Sequence, residues 1–234
     1  MNILGIETSS IVCSVGLAGE HLRSQERNIV DSHIHSEKIL TLIAELLKRA
    51  HIDMAGLDAI AVSSGPGSFT GLRIGLSTAK GFCYALDKPL VCVPTFEAIA
   101  KAAALSEPAY SQFNIAVDAK QGDFYVASFV RTASGIQELT HTHTRRLDGL
   151  DWFGRSNGPI LWITDRVGDI QNLSPTPLEV RTFSDYCRGD SVAEIGMTKY
   201  RTNAFADLQL AEPMYLKEFL VKTATTEGVR HGLV

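Results

Sequence analysis

The chain has 234 residues, 45% of them hydrophobic and 21% charged, and a formal net charge of −4 at pH 7. Those values fit one large or two small globular domains, exclude a fibrous or disordered chain, and lack the basic footprint of a self-sufficient nucleic-acid binder. No apolar run approaches the roughly 18 to 20 residues of a membrane span, so a cytoplasmic chain without membrane contact or export signal is expected.

Residues 3–29 read as three short strands, ILGIE, VCSVGLA and HLRSQERNI, joined by polar turns at 8–10 and 19–20. HSEKILTLIAELLKRA then places Ile39, Leu40, Ile43, Leu46, Leu47 and Ala50 at three- and four-residue spacings. That period predicts an amphipathic helix over 36–50, with Ser32 or Ser36 as its cap. LDAIAVS reads as a buried strand, TGLRIGLSTAKGFCYAL as a helix over 70–86, and LVCVP as another strand. Thr95 is a cap candidate for the alanine-rich helix FEAIAKAAAL.

The second half restates the first. NILGIETSSIVCSVGL and FNIAVDAKQGDFYVAS share the order strand, acid, polar turn, strand, which sets Glu7 against Asp118. QELTHTHTRRL completes a second meander, PILWIT and LEVRTF supply two apolar or alternating runs, and SDYCRGDSVAEIGMTKYR supplies a helix-like segment. A duplicated α/β unit is the expected architecture.

Between the fourth strand and its helix lies SSGPGSFTGLRIGLSTAKG, residues 63–81, with five glycines. It fails the Walker pattern, and it misses the dinucleotide pattern GxGxxG because Gly71 comes one residue late. Gly71, Gly75, Ala79 and Cys83 instead fall at four-residue steps along one stripe of a helix. A glycine inside a helix costs about 1 kcal/mol relative to alanine, so the stripe predicts a close backbone contact, within the chain or with another subunit.

Metal and nucleophile patterns are weak. His33 and His35 have the wrong spacing for two ligands on one helix, whereas His141 and His143 share a strand face with no third ligand near in sequence. The four cysteines are scattered, which predicts buried thiols in a reducing compartment. Glu7 and Asp118 allow two readings: strand-ending acids, or carboxylates facing a metal and phosphate across a cleft.

Five segments together, ILGIETSS, the glycine-rich stretch, VPTFEAIA, AVDAKQGDFYVASF and EPMYLK, resemble the TsaB family, formerly YeaZ. The resemblance implies an actin-like ATPase (ASKHA) fold of two duplicated βββαβα subdomains, placed here at 1–108 and 109–234. It also implies a non-catalytic partner of a TsaD-like paralogue and a TsaE-like ATPase. That complex adds threonylcarbamoyl to the adenosine beside the anticodon in tRNAs reading ANN codons, so tRNA is met only indirectly.

Compared with TsaD-like sequences, the chain lacks HxxxH on its first helix, a glycine-rich turn after Asp118, and a DxGG-like second turn, and it is short. These departures imply a pseudoenzyme with no resident cofactor, a vestigial nucleotide cleft at Glu7, Thr8, Ser9 and Asp118, and at most weak ATP or ADP binding, with Mg only as a companion of nucleotide. The expected partner interface is the two-helix face carrying Ile39, Leu42, Ile43, Leu46, Gly71, Leu72, Gly75 and Ala79, which would also serve a homodimer when the paralogue is absent. The alternative is an ATP-binding enzyme of the same fold.

Overall fold

In the computed structural model the described residues are 1–31, 34–146, 149 and 158–214. The opening meander forms as its alternation requires: β1 (Asn2–Glu7), β2 (Val12–Gly19) and β3 (Leu22–Val30) pair antiparallel. The apolar run at 59–63 becomes β4 (Ala59–Ser63), which adds parallel to β1, and β5 (Leu90–Val93) adds parallel to β4. The sheet order is therefore β3-β2-β1-β4-β5.

The second half builds the same sheet. β6 (Gln112–Asp118), β7 (Asp123–Thr132) and β8 (Gly135–Arg146) form an antiparallel meander. β9 (Ile160–Thr164) and β10 (Val180–Thr182) then add parallel, giving the order β8-β7-β6-β9-β10. Duplication is thus written in topology, and the architecture is the actin-like ATPase fold.

Helices α1 (His35–Ala50) and α2 (Phe69–Leu86) cover one face of the first sheet, where Leu4, Ile6 and Val15 meet Ile39, Ile43, Leu46 and Leu76. The α1 stripe predicts this, since its apolar side chains recur once per turn. Ser68 caps α2 by accepting the Gly71 N–H at 3.3 Å. Two expected caps are different in the structure. Ser36 lies inside α1, which starts after Ile34 with no side-chain cap, and Ser32 lies outside the described residues. Thr95 is the first residue of α3 (Thr95–Ser106), and its hydroxyl accepts the Gly65 N–H at 3.0 Å, which ties the helix to the glycine-rich turn.

Two further faces are covered crosswise. α3, from the first half, buries Phe96, Ile99 and Ala103 against Phe113, Ile115 and Ile163 of the second sheet. α5 (Gly189–Arg201), from the second half, buries Val192 and Ile195 against Ile3, Ala61 and Val91 of the first. Close approach of α5 needs glycine on both sides: a Cβ at Gly5 or Gly16 would overlap the backbone of residues 189–193, and one at Gly189 would overlap Val15 and Gly16. The helices therefore cross the expected 108/109 division in both directions. A short helix not anticipated from periodicity, α4 (Val167–Gln171), lies between β9 and β10. Among the described residues no helix is long and apolar enough to cross a membrane.

Candidate functional site

The two acidic turns sit at the ends of equivalent strands, β1 and β6. At the first, Glu7 and Thr8 are fully buried and Ser9 is 2% exposed. The Glu7 carboxylate turns back on its own loop, with Oε1 accepting the Ser9 N–H at 2.6 Å. Burial pushes the Glu7 carboxyl up, against the Ser9 hydroxyl and amide, the nearby Ser63 hydroxyl and the Thr8 backbone, which pull it down. Glu7 Oε2, Ser63 Oγ and Thr8 Oγ1 are buried without a hydrogen-bond partner among the described residues.

The glycine-rich segment closes this turn from the α2 side. Ser68 donates its N–H to Ser9 O at 2.7 Å. A Cβ at Gly67 would overlap Ser9, one at Gly71 the Thr8 carbonyl, and one at Gly75 the Thr8 hydroxyl. Gly65, at φ +114°, carries the chain into the loop in a conformation that favours glycine. The small-residue stripe of α2 therefore serves contact within the chain, with the loop after the first strand.

The second turn is occupied by side chains. Asp118 Oδ1 accepts the Lys120 N–H at 2.8 Å, its Oδ2 meets the Lys120 ammonium at 3.0 Å, and Arg166 approaches to 3.6 Å. Partial burial would raise the Asp118 carboxyl, but the Lys120 hydrogen bonds and the Lys120 and Arg166 charges together hold it below the usual carboxylate range. Lys120 and Gln121 both adopt left-handed backbone, φ 65° and 61°, ahead of Gly122. Neither Lys120 nor Arg166 stood out in sequence; the first is in a polar turn and the second arrives from the end of β9 through a parallel pairing no local pattern reveals.

The described histidines and cysteines do not converge on a metal. His35 is 5% exposed and its Nε2 lies 3.2 Å from Val12 O, a core contact; His33 lies outside the described residues. His141 pairs with Glu138 at 2.8 Å, and His143 Nδ1 lies 2.7 Å from His141 O. Among the described residues no group of three or more His, Cys, Asp or Glu could hold a metal ion. Cys187 is buried beside Ser9, 4.0 Å from its hydroxyl, and burial raises its thiol well above the ordinary value. Burial likewise raises Cys13 to about 11 and Cys83 to about 12, so these are unreactive core thiols.

The residues expected at a partner interface are buried within the chain. Ile39, Leu42, Ile43, Leu46, Leu72 and Ala79 are each 8% exposed or less, and Gly71 and Gly75 are buried against Thr8. All eight face the chain's own sheet or turn, because the apolar stripe that defines an amphipathic helix is the stripe it buries. The outward face of the touching pair α1 and α2 carries Leu40, 57% exposed, and Tyr84, 83% exposed, with Arg73 stacked 3.9 Å over the Phe69 ring. Gly81 lies on the same outward face, and a Cβ there would meet nothing within 4 Å.

The duplicated sheets and the acidic turns at the ends of β1 and β6 define a protein of the actin-like ATPase fold. The family model described as TsaD, tRNA N6-adenosine threonylcarbamoyltransferase, matches residues 29–184, more than half of the chain. The chain is 28% identical over 173 residues to the tRNA threonylcarbamoyladenosine biosynthesis protein TsaB of Escherichia coli strain K12, covering 69% of this chain and 74% of that one. It is 32% identical over 133 residues to the Haemophilus influenzae protein of the same name, covering 56% and 55%. YeaZ from Pseudomonas aeruginosa has the same fold, with a TM-score of 0.81 at 22% identity over 92% of this chain and 99% of that one. The chain belongs to the TsaD family, and within it to the TsaB, or YeaZ, group.

Proposed function

We propose that this chain is a non-catalytic scaffold of the complex that adds a threonylcarbamoyl group to the adenosine beside the anticodon in tRNAs reading ANN codons. The observation that carries the reading is the filling of both acidic turns: Glu7 holds the Ser9 amide, Gly67, Gly71 and Gly75 pack without clearance on residues 8 and 9, and Asp118 is held by Lys120 and Arg166. A turn whose amide and carboxylate already satisfy each other has little left to offer a phosphate or its metal.

In this reading the outward face of α1 and α2 docks a TsaD-like paralogue, a TsaE-like ATPase joins the pair in the cytoplasm, and tRNA is met through the complex. The same face forms a homodimer when the paralogue is absent. The family relationship supports the pathway; the exposed Leu40, Phe69 and Tyr84 and the uncrowded Gly81 support the face.

The test has two stages. Depleting the chain in its own cell should lower threonylcarbamoyladenosine in bulk tRNA, measured by mass spectrometry, and the wild-type chain should restore it. Persistence of the modified nucleoside after verified depletion refutes the pathway assignment. Complementation with Gly81→Trp or Tyr84→Asp should then fail although the chain accumulates folded.

A second reading, an ATP-binding enzyme of the same fold, is favoured by one feature: Glu7 Oε2 and Ser63 Oγ are buried polar atoms without partners among the described residues. Binding of Mg-ATP to the purified chain separates the two.

A further inference from the structure

Beyond α5 the chain runs back along the outer edge of the first sheet. Ala206 donates its N–H to Leu90 O at 2.9 Å as an isolated antiparallel bridge, and Met214 donates to Ser64 O at 2.7 Å, beside Gly65. Between these points the Asp207 carboxylate takes the N–H groups of Gln209 and Leu210, at 2.7 and 3.0 Å, which shapes a local turn. No residue of 204–214 is fully buried; Ala206, Leu208 and Ala211 rest half-buried on the core beneath α1 and α2. A segment with so little apolar burial sits at the low end of local stability.

Lys80 supplies a charged tie. Its ammonium donates to the carbonyls of Gln209 and Ala211, at 3.3 and 3.2 Å, on either side of Leu210, whose side chain is 77% exposed. Lys80 reaches them from α2, so one side chain links the helix to the segment that crosses it. Hydrogen bonds from a charged donor are the stronger kind.

We propose that residues 206–214 form a releasable strap over the β5 edge and the glycine-rich turn, and that the Lys80 charge is its latch. With the latch closed, the strap covers part of the outer edge of Leu90–Val93 and sits against Gly65. With it open, that edge presents backbone N–H and C=O groups able to pair with a further strand. The device is independent of the scaffold reading, since it concerns only contacts inside the chain.

Hydrogen exchange of backbone amides in the full chain, read residue by residue by NMR, tests it. In Lys80→Gln the Ala206 and Met214 amides should exchange about tenfold faster, the order expected for losing a charge-assisted hydrogen bond. Gln209 and Leu210, bound within the strap to Asp207, and the amides of β4 should keep their wild-type rates. Lys80→Arg, which keeps the charge, should keep the protection of Ala206 and Met214. Unchanged rates at those two amides in Lys80→Gln overturn the proposal, as does a rise shared equally with β4, which would make Lys80 a general stabiliser. A loss in Lys80→Arg as large as in Lys80→Gln also overturns it, because charge would then be irrelevant.

Discussion

Gly75 lies directly against the Thr8 hydroxyl, while Gly81, less than two turns further along the same helix, has open space where a side chain would begin. The two glycines look alike in sequence and should respond oppositely to alanine. Gly75→Ala forces a methyl into a buried, packed site and should cost about 1 to 3 kcal/mol. Gly81→Ala should add up to about 1 kcal/mol through helix propensity. Urea denaturation of the two variants checks both signs.

The docking face is tested by variants that leave the core alone. Tyr84→Asp and Gly81→Trp change outward positions and should leave the midpoint of urea unfolding near wild type, yet abolish co-purification with a TsaD-like paralogue. Retained co-purification by both would move the docking face away from α2. Gly75→Trp is unsuited to this purpose, because it would break the α2 contact with Thr8 before it reached a partner.

Glu7 gives a pH signature. Burial raises its folded-state pKa above the unfolded value of about 4.3, so the folded chain holds the proton more tightly than the unfolded one. The resulting stabilisation is complete below the unfolded pKa and is lost as pH rises through the folded pKa. Glu7→Gln cannot lose a proton and should gain on the wild type as pH rises from 4 to 8, in thermal melts run across that range. A stability difference that is flat with pH would contradict a raised Glu7.

Asp118 should behave in the opposite sense. Its carboxyl is held low by Lys120 and Arg166, so its contribution is present above the unfolded carboxylate pKa of about 3.9 and is lost as pH falls through the folded value. Asp118→Asn should cost about 1 kcal/mol at neutral pH and little in acid, where the wild type is itself protonated.

Mg-ATP decides between scaffold and enzyme. A ligand present at a hundred times its Kd adds about 2.7 kcal/mol to the folded state, an easily read rise in Tm. The filled turns lead to the expectation of no rise at millimolar Mg-ATP. A clear rise that Glu7→Gln removes would restore the nucleotide-binding reading.

Much of the fold was legible. The period-two and period-3.6 patterns locate β1 to β3, α1 and α2 within a residue or two, while α5 starts five residues later than the helical reading of 184–201, and the repeated order strand, acid, turn, strand announces the duplication that the two sheet orders display. The acids were legible as well, because Glu7 and Asp118 close equivalent strands. What the acids do was hidden: Arg166 reaches Asp118 from the turn between β9 and α4, and Ser63 comes beside Glu7 only because β4 adds parallel to β1.

The sequence by itself determined where the elements lie, that they repeat, and that small residues line one side of α2, since each is a local pattern along the chain. Tertiary structure alone decided what those small residues touch, that α3 and α5 exchange sheets, and which side of α1 and α2 faces outward. Periodicity marks a face as apolar or crowded without naming its neighbour. That neighbour is set by which distant strand or turn arrives there, and for Gly71 and Gly75 it is Thr8 of the same chain.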